Sequence, residues 1–278
     1  MNESIKPKII EQFHLTFLSA LVYRYNPENY VLKGGANIRY YFNSPRYSND
    51  IDLDLIRGDG LKLEKIVDLV LASNVLVSTL NHAGISIVNI SKPKQTTTTR
   101  RWKLGLILSG TNVEIRTKIE FSGRHSDYHF DRIDIPESIV GQYGITPYIL
   151  QRYNLDAMID QKIMALAQRS ETKTRDIFDL EILLRVPGSD THITLLDHEN
   201  ISEALLRSSH LTYENFKEQV IPFIAEDFRA IYSSEQSWER MRKFVINSIT
   251  KLYNNTNIPR RGNMIKKIKE PKIQKEVK

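Results

Sequence analysis

Apolar side chains recur along the first half of the chain with two different periods. A helical spacing predicts a helix over residues 5–25, which Pro27 ends. A short apolar strand is predicted next, at Tyr30 to Leu32. From Gly84 to Phe121 apolar and polar residues alternate as they do in β-strands, most cleanly from Val113 to Phe121. This half of the chain therefore predicts a sheet flanked by helices.

The strand periodicity stops near residue 136, and helical spacing replaces it. The helices predicted there cover residues 148–168, 176–184, 202–208, 213–228 and 238–253. We therefore predict the α+β class, with a mixed sheet and flanking helices followed by a helical bundle. The change of pattern divides the chain into an α/β domain over residues 1–135, a helical domain over 136–258 and a basic tail over 259–278.

Composition narrows the class of protein. The 278 residues include 41% hydrophobic residues, enough for a core, and no cysteine, which excludes disulfides and cysteine-based zinc sites. No stretch is apolar enough to predict a membrane span, and the first residues do not resemble a signal peptide. We expect a cytoplasmic protein without a membrane partner. Residues 260–278 carry eight Lys and Arg against two Glu, a net +6 that equals the net charge of the chain. Such a tail suits either attraction to RNA or DNA phosphates or simple solvation.

Two acids in a predicted strand give the clearest chemical signal. Asp50 and Asp52 lie in an apolar strand over residues 50–56, so their carboxylates share one face about 6–7 Å apart. Two carboxylates at that distance repel unless a cation lies between them, and Mg²⁺, with Mn²⁺ as the alternative, is held by such a pair together with phosphate oxygens. Asp54 shares the face one pleat further on, as a supporting or solvent-facing group.

Metal-dependent phosphoryl chemistry often uses a third carboxylate from a neighbouring strand. Glu114 and Glu120 are the candidates, because both lie on the polar face of the strand from Val113 to Phe121. We favour Glu120, which two large apolar residues flank. The alternative for Glu120 is an ordinary ion pair with Lys118 or Arg101.

A glycine pair precedes the acids. Lys33, Gly34 and Gly35 follow the first predicted strand, and glycines let backbone N–H groups approach a phosphate closely. Arg46 and Ser48 lie just before the acids and could contact a triphosphate as charged and hydroxyl donors. The alternative is a tight turn followed by an ordinary loop.

The helical half adds a second polar cluster. Lys162 and Arg169 share one face of a predicted helix, and Asp176 and Asp179 share a face of the next. A short polar link folds the two helices into a hairpin, so these faces could meet. A lysine there could neutralise charge on a triphosphate, or the four residues could form a surface salt-bridge network.

Together these residues resemble the motifs of the AbiEii/AbiGii family of nucleotidyltransferase toxins, which includes the MenT-type toxins and belongs to the polymerase-β-like nucleotidyltransferases. The resemblance covers residues 30–185. The matching motifs are Lys33-Gly34-Gly35, Arg46-x-Ser48-x-Asp50-x-Asp52-Leu53-Asp54, Lys118-Ile119-Glu120-Phe121, Lys162-x-x-Ala165-Leu166-x-x-Arg169 and Arg175-Asp176-x-x-Asp179-Leu180. Family members often have Thr or Ser after the glycine pair, where this chain has Ala36 and Asn37.

The resemblance implies transfer of a nucleotide from an NTP, in known cases to the 3′ end of tRNA, by a toxin that a cognate antitoxin restrains, often in phage defence. It implies that Gly34, Gly35 and Ser48 hold the nucleotide phosphates, that Asp50, Asp52 and Glu120 form a metal site, and that Lys162 and Asp176 are required. We expect Lys33 and Arg46 to contact the nucleotide as well. We expect the site at the edge of the sheet, closed by the helical half.

Other functions stay open at this point. A D-x-D pair also suits glycosyltransferases that use nucleotide sugars and metal-dependent nucleases, although the preceding glycine pair speaks against both. The superfamily includes transferases that act on proteins or small molecules. A non-catalytic nucleotide or nucleic-acid binding module of the same fold is the remaining alternative.

Overall fold

The computed structural model of the protein describes residues 5–123, 128–189 and 196–256. The predicted basic tail over residues 259–278 lies outside these described residues, so its role stays a prediction. No helix among the described residues has the length and hydropathy needed to cross a membrane.

Seven strands form one mixed sheet with the order β3-β4-β5-β2-β1-β7-β6. The strands are β1 Tyr30–Lys33, β2 Asp50–Leu55, β3 Ile85–Gln95, β4 Thr99–Leu108, β5 Ile115–Ser122, β6 Phe130–Asp134 and β7 Ile149–Tyr153. The β2–β5 and β1–β7 pairs are parallel, and the other neighbours are antiparallel. The predicted mixed sheet is confirmed.

The sheet extends past residue 136, where the sequence pattern predicts that strands end. The helix predicted over residues 148–168 is wrong in its first part, because β7 (Ile149–Tyr153) pairs with both β1 and β6. The helix begins only at Leu155, where the Asn154 side chain accepts a hydrogen bond from the Ala157 backbone N–H and caps the first turn. The five residues of β7 are too few for their alternation of apolar and polar positions to reveal a strand.

Helices pack on both faces of the sheet and build most of the second half of the chain. They are α1 Ile5–Val22, α2 Gly34–Tyr41, α3 Gly60–Leu71, α4 Asn74–His82, α5 Glu137–Val140, α6 Leu155–Gln168, α7 Thr174–Leu184, α8 His198–Ser209, α9 Tyr213–Gln219, α10 Glu226–Tyr232 and α11 Glu235–Thr256. The single helix predicted over residues 213–228 is wrong: α9 and α10 are separate, with a 3-10 turn at Ile221–Phe223 between them. Pro222 lacks a backbone N–H and cannot continue α9.

Two apolar cores lie on opposite faces of the sheet. One core joins α1, α3 and α4 to inward residues such as Ile51, Leu53 and Ile119. The other joins α6, α7, α8, α9 and α11 to the opposite face of the sheet through Val31 and Tyr153. The predicted helical bundle is therefore confirmed, and it covers only the β1–β7 part of its face of the sheet.

Candidate active site

The predicted acids lie on β2, the fourth of the seven strands. The expected position at the sheet edge is therefore wrong, since β5 and β1 pair with β2 on its two sides. Ile51 and Leu53 point into the core under α1 and α3, so Asp50 and Asp52 point to the opposite face. In the parallel register, Asp50 lies opposite Lys118 and Asp52 opposite Glu120.

Lys118 lies among the three predicted carboxylates. Its Nζ atom is 3.6 Å from Asp50 Oδ2, 3.5 Å from Asp52 Oδ1 and 3.2 Å from Glu120 Oε2. Arg101 Nε donates a further hydrogen bond of 2.6 Å to Glu120 Oε2. The structure thus brings the three acids together around one ammonium group. Reasoning from the sequence considered Lys118 only as an ion-pair partner of Glu120, although its place two residues before Glu120 puts it on the same face.

The local electrostatics differ between the acids. Burial raises the pKa of Asp50, and the charge of Lys118 only partly offsets this. Burial also acts to raise the pKa of Glu120, but the hydrogen bond from Arg101 and the charge of Lys118 outweigh it and hold that pKa below its ordinary value. The three carboxylates in turn raise the pKa of Lys118 against the effect of its burial. The cluster therefore contains a firmly protonated lysine and a firmly ionised glutamate.

The carboxylates of this cluster are ligands of the kind that Mg²⁺ binds in proteins. No three acidic or histidine side chains among the described residues already lie close enough to hold an ion together. Asp50 and Asp52 nevertheless offer two carboxylates on one face. Each is about a third exposed, and each already contacts the positively charged ammonium group of Lys118. Mg²⁺ needs one or two carboxylates when phosphate oxygens supply further ligands. The pair therefore fits Mg²⁺, while Glu120 is held by Arg101 and Lys118.

The glycine pair lies directly against these acids. Gly34 has φ +68° and begins α2, and a Cβ atom there would lie 3.0 Å from Asp52 Oδ2. A Cβ atom on Gly35 would lie 2.8 Å from both Ser48 Oγ and Arg46 Nη2. Only glycine allows this turn to approach so closely. The structure thus brings the predicted phosphate turn, its hydroxyl donor and the acids together.

The ammonium group of Lys33 contacts Asp54 rather than the glycine turn. It forms an ion pair with Asp54, which also accepts a hydrogen bond of 2.8 Å from the Tyr153 hydroxyl. Asp54 is buried, so of its two predicted roles the structure favours the supporting one. A nucleotide contact by Lys33 stays a prediction.

The four polar residues of the helical hairpin form a buried network rather than a surface one. Lys162 Nζ lies 3.0 Å from Asp176 Oδ1 and 2.6 Å from Asp179 Oδ2, and Arg169 Nη1 lies 2.5 Å from Asp176 Oδ2. Both aspartates are fully buried. The expectation that the two helical faces meet is confirmed.

Arg46 connects this network to the glycine turn. Its guanidinium group donates three hydrogen bonds of 2.8–3.0 Å to Asp179 from a position against Gly35. Burial acts to raise the pKa of Asp179, but the charges of Arg46 and Lys162 outweigh it and keep that pKa below its ordinary value. The sequence pattern assigned Arg46 to the nucleotide, and its pairing with Asp179 gave no local signal.

Comparisons with known proteins bear on the family and the fold of the chain. The model of a family described as "Nucleotidyl transferase AbiEii toxin, Type IV TA system" matches residues 16–251. No curated protein matches the chain. Among solved structures, a candidate nucleotidyltransferase from H. pylori is similar with a TM-score of 0.55 and 17% identity, covering 91% of this chain and 98% of its own. JHP933 from Helicobacter pylori is similar with a TM-score of 0.53 and 18% identity, covering 92% and 97%. At these identities the two structures support the fold alone.

Proposed function

Because the chain belongs to the AbiEii family of nucleotidyltransferase toxins of type IV toxin–antitoxin systems, we propose that it transfers a nucleoside monophosphate from an NTP to the 3′ end of tRNA with the help of Mg²⁺. Membership makes the protein a nucleotidyltransferase with an NTP substrate and a cognate antitoxin. The metal, the tRNA acceptor and a role in phage defence are the proposed parts.

One observation carries the proposal: the glycine turn lies within contact distance of a carboxylate pair on the central strand. A Cβ atom on Gly34 would lie 3.0 Å from Asp52 Oδ2, so backbone N–H groups of the turn and oxygens of Asp52 border the same space. The backbone N–H groups suit phosphate oxygens, and the carboxylate oxygens suit a divalent cation. A triphosphate on the turn and a cation on Asp52 would therefore be neighbours, and the cation would neutralise phosphate charge there.

The reaction in this proposal is an in-line displacement at the α-phosphorus. An acceptor hydroxyl forms a bond to phosphorus while the bond to pyrophosphate breaks, and one of the carboxylates takes the hydroxyl proton. Gly34, Gly35 and Ser48 would hold the phosphates, and Asp50 and Asp52 would hold Mg²⁺. Glu120 would join them as the third acid in place of its present contact with Lys118. Mg²⁺ supplies neutralisation of the phosphate charge when bound.

Lys162 and Asp176 contribute through position in this proposal. Both are buried and contact each other, and Asp179 links them to Arg46 beside the glycine turn. We therefore assign them the task of fixing Arg46, and with it the turn that receives the phosphates.

The test is a transfer assay with Mg²⁺, each α-labelled NTP in turn and total tRNA. The variant is Asp50→Ala/Asp52→Ala, and the matched control is Asp131→Ala/Asp134→Ala, which removes two acids from β6 at one edge of the sheet. We expect label on tRNA with the natural protein and the control, at least about a thousandfold less with the variant, and none after chelation of Mg²⁺.

The outcomes separate the parts of the proposal. Label on a protein or a small molecule, dependent on Asp50 and Asp52, would keep the reaction and refute tRNA as acceptor. Full transfer in the presence of a chelator would refute the metal. Transfer that survives Asp50→Ala/Asp52→Ala would refute the site itself.

A further inference from the structure

A groove runs from the acids across the part of the sheet that the helical bundle leaves uncovered. It has a volume of about 520 Å³, and its walls come from β2, β3, β4 and β5. The β-registers place its residues in rows. One row contains Asp50, Lys118, Lys103 and Ser91, and the next contains Asp52, Glu120, Arg101 and Lys94. Residues directly opposite on neighbouring strands point to the same face, so each row leads from an acid to a basic side chain.

The basic residues of these rows, together with Arg116 on β5, fall into two groups. Lys118 and Arg101, nearest the acids, are neutralised by them. Further out, no ion pair of Lys94 or Lys103 occurs within the three described parts of the chain, and Arg116 only approaches Glu114 at 3.9 Å with its side chain 85% exposed. We call Lys94, Lys103 and Arg116 the outer cations.

Two features indicate that the outer cations form a binding site for an anion. Lys103 lies directly opposite Lys118 across β4 and β5, and like charges in that position are destabilising. The lining also includes the polar residues Asn49, Asn89 and Ser91, whose side chains can hydrogen-bond hydroxyl and phosphate oxygens. Glu114, which lies over Gly105, is the acid on the outer wall.

The in-line geometry of the proposed displacement indicates which substrate enters this groove. Attack at the α-phosphorus is in line, so the attacking hydroxyl and the departing pyrophosphate lie on opposite sides of it. The glycine turn that receives the phosphates lies on the β1 side of Asp52, and the groove lies on the β5 side. The acceptor must therefore approach along the groove.

We propose that the groove binds the last nucleotides of a single-stranded nucleic-acid acceptor, with Lys103 and Arg116 contacting its phosphates and the terminal hydroxyl delivered to Asp50 and Asp52. The inference rests on the proposed transfer reaction, whose acceptor it locates. From β2 to β3 are three strand spacings, about 14 Å, which suits a strand end. The described residues that line the groove are rich in cations, so we infer contacts to the backbone phosphates, which carry no sequence information.

The experiment measures binding and transfer separately. A short single-stranded RNA with a fluorescent label at its 5′ end is titrated with protein over a range of salt, by anisotropy. The test variant is Lys103→Gln/Arg116→Gln. The matched control is Lys62→Gln/Lys65→Gln, which removes two exposed lysines from α3 on the other face of the sheet. A second pair, Lys103→Arg/Arg116→Lys, keeps both charges.

We expect Lys103→Gln/Arg116→Gln to weaken RNA binding on the order of tenfold, and to reduce the salt dependence of log K by about 1.4, because each lost phosphate contact removes about 0.7. The KM for the RNA acceptor should rise by a similar factor while the KM for NTP stays unchanged. The other two variants should match the natural protein. Far-UV circular dichroism confirms that each variant folds.

Other results would overturn the inference. Equal RNA affinity and salt slope in the test and control variants would place the acceptor elsewhere, even if the natural protein transfers nucleotides to RNA. Because the binding assay needs no turnover, a groove that binds RNA without any transfer would instead refute the proposed function. A rise in the KM for NTP would assign Lys103 and Arg116 to the nucleotide.

Discussion

Replacement of Asp179 by Asn tests whether the buried network supports the glycine turn. Asp179 is fully buried and accepts from two cations, Arg46 at 2.8 Å and Lys162 at 2.6 Å. Asn has the same shape without the charge. Lys162 would keep Asp176 as a partner, but Arg46, which is 5% exposed, would lose its carboxylate. We therefore expect a strong effect, because an uncompensated buried charge is costly.

The expected loss of stability for Asp179→Asn is about 3–5 kcal/mol. Arg46→Met should cost less, about 1–3 kcal/mol, because Asp179 keeps Lys162. The double variant Arg46→Met/Asp179→Asn should cost about 1–3 kcal/mol less than the sum of the single changes, since no unpaired arginine remains. The matched control is Glu181→Gln, also on α7, whose partner Arg185 is 59% exposed. It should cost about 0–1 kcal/mol.

Urea unfolding provides the measurement. Far-UV circular dichroism reports helices, and fluorescence reports Trp102 in one core and Trp238 in the other. Coincident transitions would justify a two-state treatment. With a slope of about 3 kcal/mol/M, the midpoint for Asp179→Asn should fall by about 1–1.7 M. A loss no larger than that of Glu181→Gln, or a coupling below about 0.5 kcal/mol, would refute the buried network and free Arg46 for the nucleotide.

Two further changes have sharp expectations. Gly34→Ala should lose about 1–2 kcal/mol of stability and most transfer activity, because Gly34 has φ +68° and its new Cβ would press on Asp52. The control Gly144→Ala has a similar φ of +65° but nothing within 4 Å of the new Cβ, so it should lose only stability. Equal activity in the two variants would contradict the close approach of Gly34 to Asp52. Burial lowers the pKa of His14 from 6.5 to about 3, so the folded state excludes a proton that the unfolded state binds, and stability falls as the pH drops below 6.5. Between pH 7 and 5 the natural protein should lose about 2 kcal/mol more than His14→Gln, in which an amide replaces the ring beside Thr117. Identical pH profiles in urea melts would show that burial does not lower the pKa of His14.

Local patterns predicted much of the sheet and of the site. Alternation along β2 places Asp50 and Asp52 on one face and Ile51 and Leu53 in the core, as the sequence indicates. This works because a strand exposes its faces in alternate positions whatever lies beside it. The glycine pair is likewise predictable, since a backbone with positive φ selects glycine locally.

Other features depend on segments that are distant in sequence. The ammonium of Lys118 reaches Asp52 across 66 residues, and Arg46 reaches Asp179 across 133. β7 becomes a strand because β1 and β6 offer hydrogen bonds on both sides, which overrides the weak helical pattern of its five residues.

The sequence by itself determined the chemical groups of this protein: the acids, the glycine turn and the basic residues of β4 and β5. Periodicity and backbone preference are local properties, and each segment carries them wherever it packs. Only the tertiary structure decided which charges neutralise one another and which stay free. Parallel pairing of β2 with β5 set Lys118 among the acids, and Lys103 lies beyond it with no ion pair to any residue that the structure describes. Ion pairing depends on distances of a few ångströms, which are fixed by the packing of the whole fold.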